Sequence, residues 1–133
     1  MAIRFIPDEI VPILHADLIR QYGGVPGIRD RHLLASALAQ PRMTAQGKFL
    51  HRSIFDKAAA YGFHVCRNHP FADGNKRVSL ILMAIFLERN GWSLSASEEE
   101  AYKTMISLAA GAVSKPALSS WLKTYSSKTS PRR

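Results

Sequence analysis

A nearly apolar run of ten residues, Val78 to Leu87, constrains the fold more than any other feature of the chain. Such a run is too short to cross a bilayer, which needs roughly 20 residues, but it suits a helix inside a protein. Because apolar side chains cover almost every face of that helix, its neighbours are expected to pack around it. The run therefore predicts a helical protein built around one central helix.

Helical spacing of apolar residues continues through most of the chain and predicts about six helices. Their expected starts are Pro7-Asp8-Glu9, Asp30, Ser53, Gly74, Ser97 and Pro116. The predicted buried face of the first helix consists of Ile10, Ile13, Leu14, Leu18 and Ile19. Residues 42–52 lack a clear period, and the turn residue Gly47 favours a small hairpin or an ordered flap there.

The predicted organisation is one all-α domain over residues 1–125, with a possible β-hairpin flap, followed by a disordered tail at residues 126–133. With 133 residues and 47% hydrophobic content, the chain is long enough for one core and too short for two. The single cysteine, Cys66, excludes an internal disulfide and fits a reducing compartment. Because the first residues lack a secretory pattern, we expect a cytoplasmic protein.

The formal net charge of +8 is compatible with several kinds of partner. A basic surface attracts nucleic acid, an acidic protein or a polyanionic ligand such as ATP, and it also promotes solubility alone. The cations are scattered from Arg4 to Arg133, without a block or a stripe interleaved with aromatic residues. Because nucleic-acid binding usually needs such clustering, direct binding of DNA or RNA is not expected.

The loop between the third and fourth predicted helices, residues 69–77, has the composition of a phosphate site. Its second half opens a helix, and a helix N terminus presents unpaired N–H groups and a partial positive charge. Gly74 lets the backbone approach a ligand closely, and Asn75 can cap the helix or bind an oxygen. Lys76 and Arg77 add two positive charges, and a guanidinium can bind phosphate through two hydrogen bonds.

The first half of the same loop supplies a base and an acid. His69 can accept a hydroxyl proton near neutral pH, and Asp73 is a hard oxygen ligand suited to Mg²⁺. Phe71 is expected to face inward and pin the loop to the core. Together the loop residues predict transfer of a phosphate-containing group from a magnesium–nucleotide complex to a hydroxyl. The alternative is an ordinary interhelix turn with a capping aspartate and two solvated cations, which would be preferred for Asp-Gly-Asn alone.

These residues resemble the signature of the Fic superfamily: a histidine, a phenylalanine, an acidic residue, Gly-Asn and a downstream arginine. The loop is most similar to the Doc (death on curing) branch, because Lys76 stands where the broader pattern has a second glycine and Leu80 where it has a second arginine. Residues 22–27 and 86–91 also look Doc-like. The resemblance covers most of residues 4–125.

The resemblance implies a role for each matching position. His69 would deprotonate the target hydroxyl, Asp73 would hold Mg²⁺, and Gly74, Asn75 and Arg77 would bind the nucleotide phosphates. Typical Fic enzymes transfer AMP to a protein hydroxyl. In Doc, a lysine at the position of Lys76 accompanies an inverted nucleotide, and the γ-phosphate of ATP is transferred to a threonine of elongation factor Tu, which stops translation. Lys76 therefore favours a kinase, with AMP transfer as the alternative.

Doc is the toxin of a toxin–antitoxin pair, so the resemblance also implies a protein partner. Many Fic proteins inhibit themselves through a Ser/Thr-x-x-x-Glu-Gly/Asn helix, and this chain has no match, since Ser95 and Glu99 are followed by Glu100. Inhibition is therefore expected from a separate, Phd-like antitoxin, and the positive net charge favours an acidic segment in it.

A hypothesis of another class is a catalytically idle Fic-fold module that binds DNA or an antitoxin. The presence of both His69 and Asp73 argues against it, because a binding module needs neither. The remaining histidines, His15, His32, His51 and His64, lack metal-ligand spacing and are interpreted as surface or satisfied core groups. Residues 42–52 are either a docking segment that adds a strand to a target or an irregular connection.

Overall fold

The structure, a computed structural model, describes residues 2–129. Within that range it is mainly helical, which confirms the predicted all-α class. The helices are α1 (Ile10–Tyr22), α2 (Arg31–Ala39), α3 (Ile54–Asn68), α4 (Asn75–Arg89), α5 (Glu98–Ala109) and α6 (Lys115–Thr124). The strands are β1 (Thr44–Ala45), β2 (Lys48–Phe49), β3 (Trp92–Leu94) and β4 (Ser126–Lys128), paired antiparallel as β1–β2 and β3–β4.

Helices α3 and α4 together form the centre of the fold. Helix α3 contacts α2, α4, α5 and α6, whereas α4 contacts α1, α3, α5 and β3. The two central helices approach closely because Gly62 leaves room for Met83, whose sulfur would lie 2.3 Å from a β-carbon at position 62. The predicted central helix α4 thus shares the centre with α3, and its half-buried residues Leu80, Ile81 and Ala84 line a cleft.

Helices α2, α3 and α5 begin at the capping residues that the sequence indicates. The carboxylate of Asp30 accepts a hydrogen bond from the Leu33 N–H at 2.9 Å. Ser53 and Asp56 form a reciprocal capping box at the start of α3. At the start of α5, the Ser97 hydroxyl oxygen accepts a hydrogen bond from the Glu100 N–H. Local hydrogen bonds of this kind explain why the helix starts are predictable.

The predicted hairpin is present as β1 and β2. Gln46 and Gly47 both have positive φ angles, 53° and 76°, as a tight two-residue hairpin turn requires. The hairpin is tied to α3 by Lys57, a buried lysine whose Nζ donates to the His51 carbonyl oxygen at 2.7 Å. The same ammonium lies 4.3 Å from the centre of the Phe49 ring.

The predicted buried face of α1 is wrong in part. Ile10 and Ile13 are 40% and 59% exposed, while Val11, His15 and Ile19 are buried. The buried face differs from the predicted one because α1 packs against α4. His15 can be buried on that face because its ring has a hydrogen-bond partner there, the carbonyl oxygen of Asp73. The spacing of apolar residues alone therefore assigned Ile10 and Ile13 to a buried face that in the structure contains Val11 and His15.

The predicted tail, residues 126–133, differs from the structure in its first half. Ser126, Ser127 and Lys128 pair with Leu94, Ser93 and Trp92, respectively. The pairing is made by backbone groups far apart in sequence, so small polar side chains gave no sign of it. Residues 130–133 of the predicted tail lie outside the described residues.

None of the helices within residues 2–129 combines the length and the apolar character needed to span a bilayer.

Candidate active site

The loop that joins α3 to α4 is held by a distant segment of the chain, residues 25–30. Helix α3 ends at Asn68, as Pro70 predicts, and His69 follows in a left-handed conformation with φ of 52°. The side chain of Arg29 donates to the His69 carbonyl oxygen at 2.7 Å, and the Arg29 backbone N–H donates to the Pro70 carbonyl oxygen at 2.7 Å. These bonds hold His69 in a conformation that few non-glycine residues adopt. Its side chain is exposed.

The inner side of the loop is braced by Phe71 and Asn75. Phe71 is fully buried, as predicted. The Asn75 amide oxygen accepts from the Phe71 N–H, and its amide nitrogen donates to the Phe71 carbonyl oxygen, both at 3.0 Å. The side chain of Asn75 therefore shapes the loop from inside, and its backbone N–H is the group that remains for a ligand.

Asp73 presents an ionised carboxylate on the outer side of the loop. One carboxylate oxygen accepts from the Val25 N–H at 3.0 Å and the other from the Gly74 N–H at 2.9 Å. These two hydrogen bonds, with Lys76 nearby, hold the pKa of Asp73 below its ordinary value. A β-carbon at Gly24 would lie 2.7 Å from the same carboxylate, so glycine is required there.

The surroundings of Asp73 fit a magnesium ion. Across residues 2–129 there is no cluster of three or more histidine, cysteine or acidic side chains, so a metal site enclosed by protein ligands is not present in that part of the chain. Mg²⁺ usually keeps several waters and takes one or two carboxylates together with substrate phosphates. A single ionised, exposed and oriented carboxylate beside an anion site satisfies that requirement.

The N terminus of α4 is the candidate anion site. Gly74 caps the helix with φ of 76°, and the first intrahelical hydrogen bond runs from the Val78 N–H to the Gly74 carbonyl oxygen at 3.0 Å. The preceding N–H groups, those of residues 75–77, have no intrahelical acceptor. Lys76 and Arg77 are exposed on the same turn. The Arg77 guanidinium lies 4.3 Å from the centre of the Tyr22 ring, at the end of α1.

These residues line one end of a cleft of about 970 Å³. The lining of this polar end comprises Arg67, His69, Asp73, Gly74, Asn75, Lys76 and Arg77. The cleft continues between α4 and α5, where its apolar end is lined by Leu80, Ile81, Ala84, Ala101, Tyr102, Met105 and Ile106. The site thus combines a charged end, suited to phosphates, with an apolar end large enough for a ring system.

All six residues that the sequence identified as site residues line this cleft, but the sequence missed those that support them. His15 and Tyr22 on α1, Gly24 in the following loop, and Arg29 contact the site residues from elsewhere in the chain. The resemblance to Doc over residues 22–27 was the available signal for two of them. Arg67, two residues before His69, was overlooked although it lies on the last turn of α3.

Cys66 also borders the cleft but is not equipped as a nucleophile. Its side chain is 6% exposed. Burial raises the pKa of the thiol, an effect that outweighs the opposing charges of Lys76 and Arg67. The thiol therefore stays protonated at neutral pH, in agreement with a packing role.

The arrangement has the components of group transfer from a nucleotide to a hydroxyl. It holds an imidazole that can accept a proton, an oriented carboxylate, and an anion site formed by a helix N terminus and cations. The imidazole and the anion site are separated by only the few residues of one braced loop. A nucleophile positioned beside His69 would therefore stand next to a bound phosphate.

Comparisons with known proteins identify the family of this chain. A family model described as "Fic/DOC family" matches residues 5–87, more than half of the chain. The chain is 40% identical over 75 residues to "Toxin Doc" of Mycolicibacterium smegmatis, an alignment covering 56% of this chain and 58% of that protein. It is 31% identical over 99 residues to "Protein kinase doc" of Escherichia phage P1, covering 74% of this chain and 77% of that protein.

The family match includes the whole loop, residues 69–77, and most of α4. It also includes the supporting residues of α1 and the loop that follows it. The chain belongs to the Fic/DOC family.

Proposed function

We propose that this protein is a Doc-like toxin that transfers the γ-phosphate of ATP to a hydroxyl group of a protein. The observation that carries the proposal is the polarity of the cleft. Its charged end adjoins His69, and its apolar end begins at Leu80. The relative from phage P1, named "Protein kinase doc", supports the same reaction class.

The cleft favours one direction for the nucleotide. A phosphate bound at the N terminus of α4 would lie beside His69, and the nucleoside would then lie against Leu80, Ile81 and Tyr102, which line the apolar end of the cleft. Apolar walls of this kind suit a nucleoside. AMP transfer would leave a diphosphate that needs further positive charge, and Leu80, the next cleft residue on α4 after Arg77, supplies none. A γ-phosphate at the charged end and a nucleoside at the apolar end therefore match the walls best.

The loop residues then have defined roles. The imidazole of His69 takes the proton of the target hydroxyl while the hydroxyl oxygen forms a bond to the γ-phosphorus. The bond between the γ-phosphorus and the β–γ bridging oxygen breaks, and ADP leaves with that electron pair. The α4 N–H groups, Lys76 and Arg77 stabilise the charge on the phosphoryl oxygens. Mg²⁺ held by Asp73 and the phosphates would offset the charge of the nucleotide.

The exposed hairpin is the proposed docking element for the protein target. Strands β1 and β2, each of two residues, pair only with each other within the described residues. Their outer edges are therefore available for strand addition. A threonine of elongation factor Tu is the first target to test. The proposed regulator is an antitoxin with an acidic segment, attracted by the net charge of +8.

The test uses the purified protein in a bacterial translation extract with Mg-ATP labelled at either the α- or the γ-phosphate. The proposal predicts a single protein band labelled from the γ position only, and loss of about 10²–10⁴-fold with His69→Ala. Label from the α position would establish AMP transfer instead. Absence of label from both positions, with antitoxin binding retained, would favour an idle binding module.

A further inference from the structure

His15 has contacts unusual for a buried histidine in the middle of a helix. It lies on α1 with 3% of its surface exposed. Its ring stacks on Phe71, with ring centres 3.9 Å apart and planes inclined by 9°. Its Nε2 lies 2.7 Å from the carbonyl oxygen of Asp73, in the loop before α4.

The hydrogen-bond partner of His15 identifies which ring nitrogen carries a proton. A carbonyl oxygen can only accept a hydrogen bond, so Nε2 of His15 must be the donor. The next residue also lies near the ring, since a β-carbon at Gly74 would be 3.5 Å from Nε2. The peptide between Asp73 and Gly74 is therefore held at both ends: its oxygen by His15 and its N–H by the Asp73 carboxylate at 2.9 Å.

We propose that His15 is a positioning residue of the phosphate site, and that its Nε2–H holds the Asp73 carbonyl away from the N terminus of α4. This inference rests on the proposed phosphoryl transfer. Rotation of the Asp73–Gly74 peptide would bring a carbonyl oxygen, with its partial negative charge, toward the bound phosphate. Gly74 has no side chain to resist that rotation. The hydrogen bond from α1 prevents it, so N–H groups rather than this carbonyl face the phosphate.

Two substitutions separate the role of His15 as a hydrogen-bond donor from its role in packing against Phe71. His15→Phe keeps an aromatic ring against Phe71 and removes the donor. His15→Gln removes the ring and keeps an N–H donor, because its amide nitrogen is as many bonds from the α-carbon as Nε2 is. A packing role predicts that phenylalanine is the better replacement, whereas a positioning role predicts that glutamine is.

In the γ-phosphate transfer assay we expect His15→Phe to lower kcat by about 10–100-fold, with a smaller change in KM for ATP. His15→Gln should stay within a few-fold of the parent protein. His32→Phe, at an exposed histidine on α2, is the matched control. Equal activity of His15→Phe and the parent, or a greater loss with glutamine than with phenylalanine, would overturn the inference.

A measurement on the unmodified protein keeps this result separate from the proposed function. Nitrogen-15 NMR of the parent should show His15 protonated at Nε2, with that proton protected from exchange. Titration with inorganic phosphate should shift the amide signals of residues 75–77 in the parent and in His15→Gln, and weakly in His15→Phe. If the parent transfers no phosphate, the proposed function fails, while the phosphate titration still decides the role of His15. Protonation at the other nitrogen would contradict the inference directly.

Discussion

The carboxylate of Asp73 is positioned by the backbone of a segment remote in sequence. Val25 donates one of its two hydrogen bonds, and Gly24 passes so close that a β-carbon would meet the carboxylate at 2.7 Å. The backbone at Gly24 also has φ of 121°, which L side chains rarely adopt. The orientation of the proposed metal ligand thus depends on the absence of one side chain.

Gly24→Ala is expected to displace the Asp73 carboxylate and to weaken Mg²⁺-dependent nucleotide binding by about tenfold or more. Calorimetric titration with Mg-ADP measures the effect. Gly27→Ala is the matched control, because Gly27 has φ of 106° but no atom within 4 Å of an added β-carbon. If both substitutions weaken binding equally, backbone strain rather than the clash with Asp73 is responsible.

Tyr22 holds Arg77 through a contact of the guanidinium with the face of its ring. Tyr22→Leu is expected to raise KM for ATP by about 2–5-fold, the size of an exposed cation–π interaction. Tyr22→Phe retains the ring and should leave KM close to the parent value. A similar KM for the leucine and phenylalanine variants would show that the ring does not orient Arg77.

At the scale of elements, a buried cation helps to attach the hairpin to α3. Lys57 is 1% exposed, and its Nζ donates to the carbonyl oxygens of His51 and Arg52 at 2.7 and 3.0 Å. Burial lowers the pKa of this lysine, while Asp56 acts in the opposite direction. Its nitrogen carries N–H groups that can donate to both carbonyl oxygens in either protonation state. The residues that leave β2 are thereby fastened to α3.

Lys57→Met should lower the free energy of unfolding by about 1–3 kcal/mol, because the buried carbonyl oxygen of His51 and the partly buried carbonyl oxygen of Arg52 lose their donor. Hydrogen exchange should increase at residues 44–52 before it increases in α3. Lys48→Met, at an exposed lysine of the same hairpin, serves as the control. An unchanged exchange rate at the hairpin in the Lys57 variant would refute the anchoring role.

At the scale of the whole molecule, three titratable groups join the hairpin, α3 and α6. Lys115 Nζ lies 2.9 Å from Nε2 of His51 and 2.9 Å from Nε2 of His64. Burial, then Lys115, then His51 and Arg67 lower the pKa of His64 from 6.5 to about 4. Burial and Lys115 also lower the pKa of His51, while Asp56 acts in the opposite direction.

This cluster predicts acid destabilisation between about pH 6.5 and pH 4. A histidine whose pKa is lower in the folded protein binds fewer protons when folded than when unfolded. Its contribution to the free energy of unfolding is therefore fully present above pH 6.5 and is lost as the pH falls toward 4. After allowance for solvent screening, the loss is roughly 1–2 kcal/mol. Urea unfolding at several pH values measures it, and His64→Gln should flatten the slope. A slope unchanged by that substitution would assign the acid sensitivity to other groups.

The sequence by itself determined the starts of several helices and predicted the residues that meet at one end of the cleft. Capping by Asp30, Ser53 and Ser97 involves partners three residues away, and Pro70 ends a helix two residues earlier. Interactions of such short range leave a pattern in consecutive residues. For the same reason the nine residues from His69 to Arg77 are identifiable as one site.

The tertiary structure alone decided how that site is supported. His15, Gly24 and Arg29 reach the loop across long stretches of sequence, and β4 finds β3 in the same way. Such contacts form because helices pack in particular orientations, which depend on the whole core and not on any local pattern. A histidine at position 15 reads as an ordinary polar residue in the sequence, and it becomes a hydrogen-bond donor to the loop only when α1 packs against α4.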